Sequence, residues 1–168
     1  MFSKMIGLTA ASVIALCAAS VGAADFEGRE LSVKDEVVRK ECGDCHMVFP
    51  PSKLTQGGWK KIMSDLGNHF GEDASISAET VKHIEDYLVA GALDATGGIR
   101  TELRLKAWAK KGLIDPIRIT ETPEWVRHHP AKETYNKMAA EVGYDKGSNC
   151  IKCHKGAEYG MYEEEFDK

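Results

Sequence analysis

The sequence predicts a mainly α protein built in two halves. Apolar residues recur at helical spacing through both halves, with no strand alternation of useful length. The motif Cys42-Gly43-Asp44-Cys45-His46 returns as Cys150-Ile151-Lys152-Cys153-His154, one copy in each half. Two cysteines three apart with a histidine directly behind form the attachment signature of c-type haem. Each cysteine can form a thioether to a haem vinyl group, and the adjoining imidazole of His46 or His154 can reach the iron from one face. The same cysteine spacing serves zinc sites and thioredoxin-like pairs. The immediate histidine in both copies weakens the first, and the charged, helix-like run Val33 to Lys40 replaces the strand that the second requires. The expected cofactors are two covalently bound haem c.

Met1 to Ala24 carries one charge, Lys4, then an apolar and small-residue run ending Val21-Gly22-Ala23-Ala24. It predicts a secretory signal peptide cleaved after Ala23 or Ala24, rich enough in Ala, Ser and Gly to be preferred over a membrane anchor. Cys17 is read as part of it, since Leu16 is large for a lipid-attachment site. Export to the periplasm suits haem attachment, which takes place outside the cytoplasm. The remaining four cysteines all lie in the two motifs, which leaves none for a structural disulfide. Without Lys4 the chain has 21 Lys plus Arg against 26 Asp plus Glu, a formal charge of −5. That balance argues against nucleic acid or an anionic membrane as partner.

Roughly 144 residues remain, about one ordinary domain, divided by the motifs into a haem domain at 25–98 and another at 99–168. Halves of about 70 residues are small for a protein-only core, so each is expected to depend on its cofactor.

In the first half, Ser32 is the expected cap of a helix with Asp35 and Glu36 in its first turn, carrying Val37, Val38 and Cys42 toward the haem. Pro50-Pro51 interrupts it. Gly57-Gly58 is expected to loosen the chain before Trp59, Ile62, Met63 and Leu66, a helical stripe that His69 continues. His69 is the candidate second ligand of the first iron. A histidine at a helix end is ordinarily a favourable charge at the dipole; here, a methionine ligand of the usual kind should lie well downstream of the motif, and none occurs between Met63 and Met138. Ser77 to Ala90 is the next helix, with Val81, Ile84 and Leu88 on one face and His83 beside them toward solvent. Its Tyr87-Leu88 end resembles the terminal helix of small single-haem cytochromes c.

Gly91 to Gly98 is the expected seam. Beyond it, Arg100 to Lys111 predicts a helix with Leu103, Leu105 and Trp108, whose basic run is read as a solvated face, or as a contact for haem propionates or an acidic partner. Thr122-Pro123 opens a short helix as cap and first residue, carrying Trp125, Val126, His128 and His129 up to Pro130. His129 is favoured as second ligand of the other iron because it shares a side with Trp125 and Val126; His128 is the alternative. After the second motif, Glu163-Glu164-Glu165-Phe166-Asp167 reads as a solvent-exposed acidic tail, or as a dock for a basic electron-transfer partner.

Together, Cys42 to His46 with Phe49-Pro50-Pro51, Trp59 before Asp65-Leu66, His69-Phe70-Gly71, Ile119 to Pro123 with its histidine, and Cys150 to His154 with Ala157 and Gly160 resemble the dihaem cytochrome c family, whose members donate electrons to a small monohaem, oxygen-binding cytochrome. The resemblance implies a cytochrome c-like helical N-terminal domain and a less regular helical C-terminal haem domain. It also implies bis-histidine irons, His46 with His69 and His154 with the histidine before Pro130. Without a methionine ligand both haems should be of comparatively low potential. The expected function is a non-catalytic periplasmic electron carrier between a membrane cytochrome or quinol-linked donor and a small soluble haem protein, with no small-molecule substrate. The alternatives are the small dihaem subunit of a periplasmic reductase, or a haem peroxidase or sensor with one open iron.

Overall fold

The computed structural model describes residues 31–95, 97–129, 133, 136–137 and 150–162. The signal segment, Met138, Pro130 and the acidic tail lie outside the described residues. The described residues include five α-helices of defined bounds joined by 3-10 turns and loops, with further helical residues at 133 and 136–137, and their only β pairing is an isolated bridge between His69 and Glu72. None of the helices among them is long and apolar enough to cross a membrane.

Helix α1 spans Glu36–Gly43, one turn later than expected. Its cap is Asp35, whose carboxylate accepts from the Val38 N–H at 2.9 Å. Ser32 is drawn elsewhere: its backbone N–H and its hydroxyl both donate to the Glu158 carbonyl, at 2.8 and 2.7 Å. The helix turns Val38 fully inward, whereas Val37, expected beside it, is 40% exposed.

Helix α2 spans Gln56–Met63, capped by the Thr55 hydroxyl. Gly57 and Gly58 lie inside its first turn rather than loosening the chain before it. A Cβ on Gly57 would overlap the Asp115 carboxylate, and one on Gly58 would stand 2.5 Å from the Pro116 carbonyl oxygen. The glycine pair is a seat for the loop at 115–116. Trp59 and Met63 are buried, and the Trp59 indole N–H donates to the Pro51 carbonyl at 2.6 Å.

Helix α3, Ala78–Ala90, covers nearly the expected span; Ser77 is its cap, accepting from the Thr80 N–H, and it buries Ile84 and Leu88. It packs on both α1 and α2. Val33, Val38, Leu54, Trp59, Met63, Ile84, Leu88 and Ala92 close into one core, with Cys42 and Phe49 packed at its edge. At about 1.5–3 kcal/mol for each large apolar side chain fully buried, this cluster is the main stabiliser of the first half.

Gly97 and Gly98, both at positive φ, lead into α4, Ile99–Ala109. Only Trp108 is buried along it, and Leu103 is exposed. Helix α5, Pro123–His128, has Thr122 as cap and proline at its first position, as the sequence predicts. The Glu124 carboxylate accepts from the Trp108 indole at 2.7 Å and pairs with Arg104 at 3.0 Å, fastening α5 to α4. The second motif opens within a 3-10 turn at Cys150–Lys152, and another turn, Ala157–Tyr159, returns to Ser32.

Candidate functional site

The first motif straddles the end of α1, so Cys42 sits on the last helical turn against the core while Cys45 stands exposed just past it. His46 follows outside the helix, with Nδ1 2.7 Å from the Met47 carbonyl oxygen. Donation there places the ring proton on Nδ1 and leaves the Nε2 lone pair facing away. Phe49 lies against the ring at 5.3 Å between centroids.

Facing His46 is His69. Their centroids are 6.1 Å apart and their planes 17° from parallel, a separation that accommodates a metal atom bonded to both at about 2 Å per nitrogen. His69 does not continue the α2 helix as its spacing suggested; that helix ends at Met63, and a 3-10 turn over Leu66–Asn68 delivers it. It then opens a four-residue turn in which its N–H donates to the Glu72 carbonyl at 2.8 Å and the Glu72 N–H returns to its own carbonyl at 3.2 Å. Phe70 at φ 56° and Gly71 at φ 100° occupy the centre. Gly71 adopts that backbone freely, while a left-handed phenylalanine costs about 1–2 kcal/mol. Burial, reinforced by the nearness of His46 and Arg118, pushes the His69 imidazole down from its ordinary value, a shift toward the neutral form that ligates metals.

The second constellation repeats the arrangement on different elements. His129 is the residue that ends α5; its Nδ1 lies 2.8 Å from the Trp125 carbonyl oxygen and its ring stacks on Trp125 at 4.1 Å and 8°. His154 faces it at 6.0 Å between centroids, with planes nearly perpendicular at 84°. The neighbouring His128 is exposed, and its Nε2 accepts from the Arg127 guanidinium at 3.1 and 3.2 Å. Of the adjacent pair, the structure brings His129 to the second motif. His83 lies apart from both constellations, its Nε2 2.9 Å from Asp35, and Met63 is enclosed in the core.

Beside His154 stands Tyr162, at 6.0 Å between rings. Its hydroxyl is buried with no hydrogen-bond partner among the described residues. The Lys53 ammonium lies 3.4 Å above the Tyr162 ring, and burial, aided by Arg104, pushes it down to about 8. Ser32, Pro51, Tyr87 and Gly91 join these two around a cavity of about 530 Å³. Neither Lys53 nor Tyr162 stands out in the sequence. Both are donors suited to the carboxylates that a haem carries on one edge.

In each motif one cysteine is partly buried and the other exposed; burial pushes Cys42 up to about 11 and Cys150 upward as well, which disfavours their thiolates and is compatible with neutral thioethers.

Against this geometry, a family model described as dihaem cytochrome c matches residues 38–162, from within α1 through the second motif. The chain belongs to the dihaem cytochrome c family. The family implies two covalently bound haem c groups and a role in electron transfer, and the paired motif cysteines fit that cofactor. Two solved structures from Rhodobacter sphaeroides are similar to this dihaem cytochrome. The first, a diheme cytochrome c, is 41% identical with a TM-score of 0.63, covering 79% of this chain and 99% of that one. The second, also purified from that organism, is 39% identical with a TM-score of 0.60, covering 77% and 97%. A diheme cytochrome type c from Shewanella baltica OS155 is 29% identical with a TM-score of 0.57, covering 76% and 86%. Among curated proteins none matches.

Proposed function

We propose that this chain is a periplasmic, non-catalytic electron carrier in which both irons are held by two histidines. His46 and His69 ligate the first, bound through Cys42 and Cys45; His154 and His129 ligate the second, bound through Cys150 and Cys153. The observation that carries this reading is that each motif histidine is met, at about the span two iron–imidazole bonds require, by one further histidine. With six positions filled on each iron, no site is left for a substrate. A bound haem c supplies one-electron iron chemistry, and the protein sets its potential through ligands and burial.

The haem domains are 25–98 and 99–168, following a signal peptide at 1–24 that directs export. The donor is a membrane cytochrome or quinol-linked protein and the acceptor a small soluble monohaem cytochrome. The net negative charge supports an acceptor with a basic docking face.

Three single variants test the ligand set in the purified holoprotein. His69→Ala and His129→Ala should each leave one iron that binds carbon monoxide after reduction, and His128→Ala should leave none. If His128→Ala opens an iron while His129→Ala does not, the second assignment is wrong.

A further inference from the structure

Arg118 belongs to the second half of the sequence, yet its guanidinium carbon lies 4.2 Å from the centroid of the Phe70 ring in the first. The same ring meets His69 edge-on at 4.8 Å and 64°, and the residue is otherwise 42% exposed. A turn whose two central residues both have positive φ calls for Asn, Asp or Gly at each; Gly71 meets that demand and Phe70 does not. The strained phenylalanine therefore points to a purpose outside the turn, and what its side chain does is fill the space between His69 and Arg118.

Arg118 is itself well seated. Three residues before it, Asp115 accepts a hydrogen bond from the Thr55 hydroxyl at 2.7 Å, and its carbonyl accepts from the Lys61 ammonium at 3.2 Å. Pro116 lies against Gly58 at the start of α2. The loop that carries Arg118 is thus fixed to the same helix whose end leads to His69.

We propose that Arg118 is a positioning residue for the first haem site: it clamps Phe70 against His69 and sets a permanent positive charge beside that ligand. The inference rests on His69 as the iron's second ligand. Two consequences separate. The planar stack holds the turn, and so retains the ligand. The charge, partly offset by the Glu121 carboxylate 3.8 Å from its Nε, favours the reduced, less positive iron, and so raises that haem's midpoint potential. Lysine keeps the charge but not the planar stack.

The test uses the full-length holoprotein as wild type, Arg118→Leu, Arg118→Lys, Phe70→Ala and His69→Ala, with carbon monoxide binding by the reduced protein and potentiometric midpoints as readouts. His69→Ala identifies the first haem by the iron it opens and the midpoint it alters. Arg118→Leu should form a carbon monoxide adduct at that iron, absent in wild type, and shift that midpoint negative. Arg118→Lys should still form the adduct under carbon monoxide while its midpoint, taken without carbon monoxide, lies nearer wild type than that of Arg118→Leu, and Phe70→Ala should form the adduct too. If His69→Ala opens one iron but Arg118→Leu neither binds carbon monoxide nor shifts a midpoint, the clamp is refuted and the ligand reading survives. If His69→Ala opens no iron, the ligand reading fails and the clamp with it.

Discussion

His129 and His128 are adjacent in sequence and carry the same group, yet one backbone step separates a ring stacked on Trp125 and facing His154 from a ring hydrogen-bonded by Arg127. Helical spacing from Trp125 was enough to favour His129; what the sequence left open was the rotamer, which the Nδ1 bond to the Trp125 carbonyl sets. Asp35 shows the same economy at a cap. The Val38 N–H donated to it, and then the nearby His83, hold its carboxyl below the usual range despite the opposing pull of burial. A depressed folded pKa contributes stability that is fully present above the unfolded value of about 3.9 and is lost as pH falls through the folded value. Asp35→Asn keeps an acceptor for the cap but not the charge. Melting temperatures should therefore show wild type the more stable at pH 7, with the difference shrinking as pH falls below the unfolded value of about 3.9; a difference that stays constant down through the acid range would place the stabilisation elsewhere. Asp35→Ala, which removes the cap outright, should cost about 1 kcal/mol at neutral pH in denaturant unfolding.

At the scale of elements, α3 and α5 were legible because each has a local cap, Ser77 or Thr122-Pro123, next to its own apolar positions. Helix α1 is capped by Asp35 rather than by the expected Ser32, whose hydroxyl goes instead to Glu158, 126 residues away, in a contact no local pattern contains. Gly57-Gly58 misled for a related reason. Paired glycines mark either freedom or close approach, and only the Asp115-Pro116 loop packed onto them makes them the second. Gly58→Ala should accordingly cost about 1–3 kcal/mol through overpacking against the Pro116 carbonyl, read as a lowered denaturation midpoint. An alanine tolerated there without loss would mean the loop is not seated on α2. Glu124→Ala should cost a similar ~1–3 kcal/mol by leaving the buried Trp108 N–H without its acceptor, and should loosen α5 and the histidine that ends it.

Across the whole molecule, the haem motifs stated the cofactor and its number, because covalent attachment needs those residue types in that order. They did not state how the halves meet. Ser32 with Glu158, Thr55 with Asp115, Lys53 with Tyr162 and Phe70 with Arg118 all bridge the first half and the second, so the two haem units interlock rather than follow one another as separate beads. If both irons are held by histidine pairs, as proposed, a redox titration should show two low midpoints, since the methionine that raises potential would be absent; midpoints typical of His/Met cytochromes would contradict the ligand set. Electron transfer to a basic monohaem acceptor should slow as salt screens the acidic chain, which stopped-flow kinetics at two ionic strengths would read. The most direct test of the central claim is the EPR and optical spectrum of the purified oxidised protein, repeated after reduction under carbon monoxide. Two low-spin bis-histidine signals and no carbon monoxide adduct are the predicted result. A high-spin fraction that binds carbon monoxide would mean that one iron is open, and would move the function from electron carriage to catalysis or sensing.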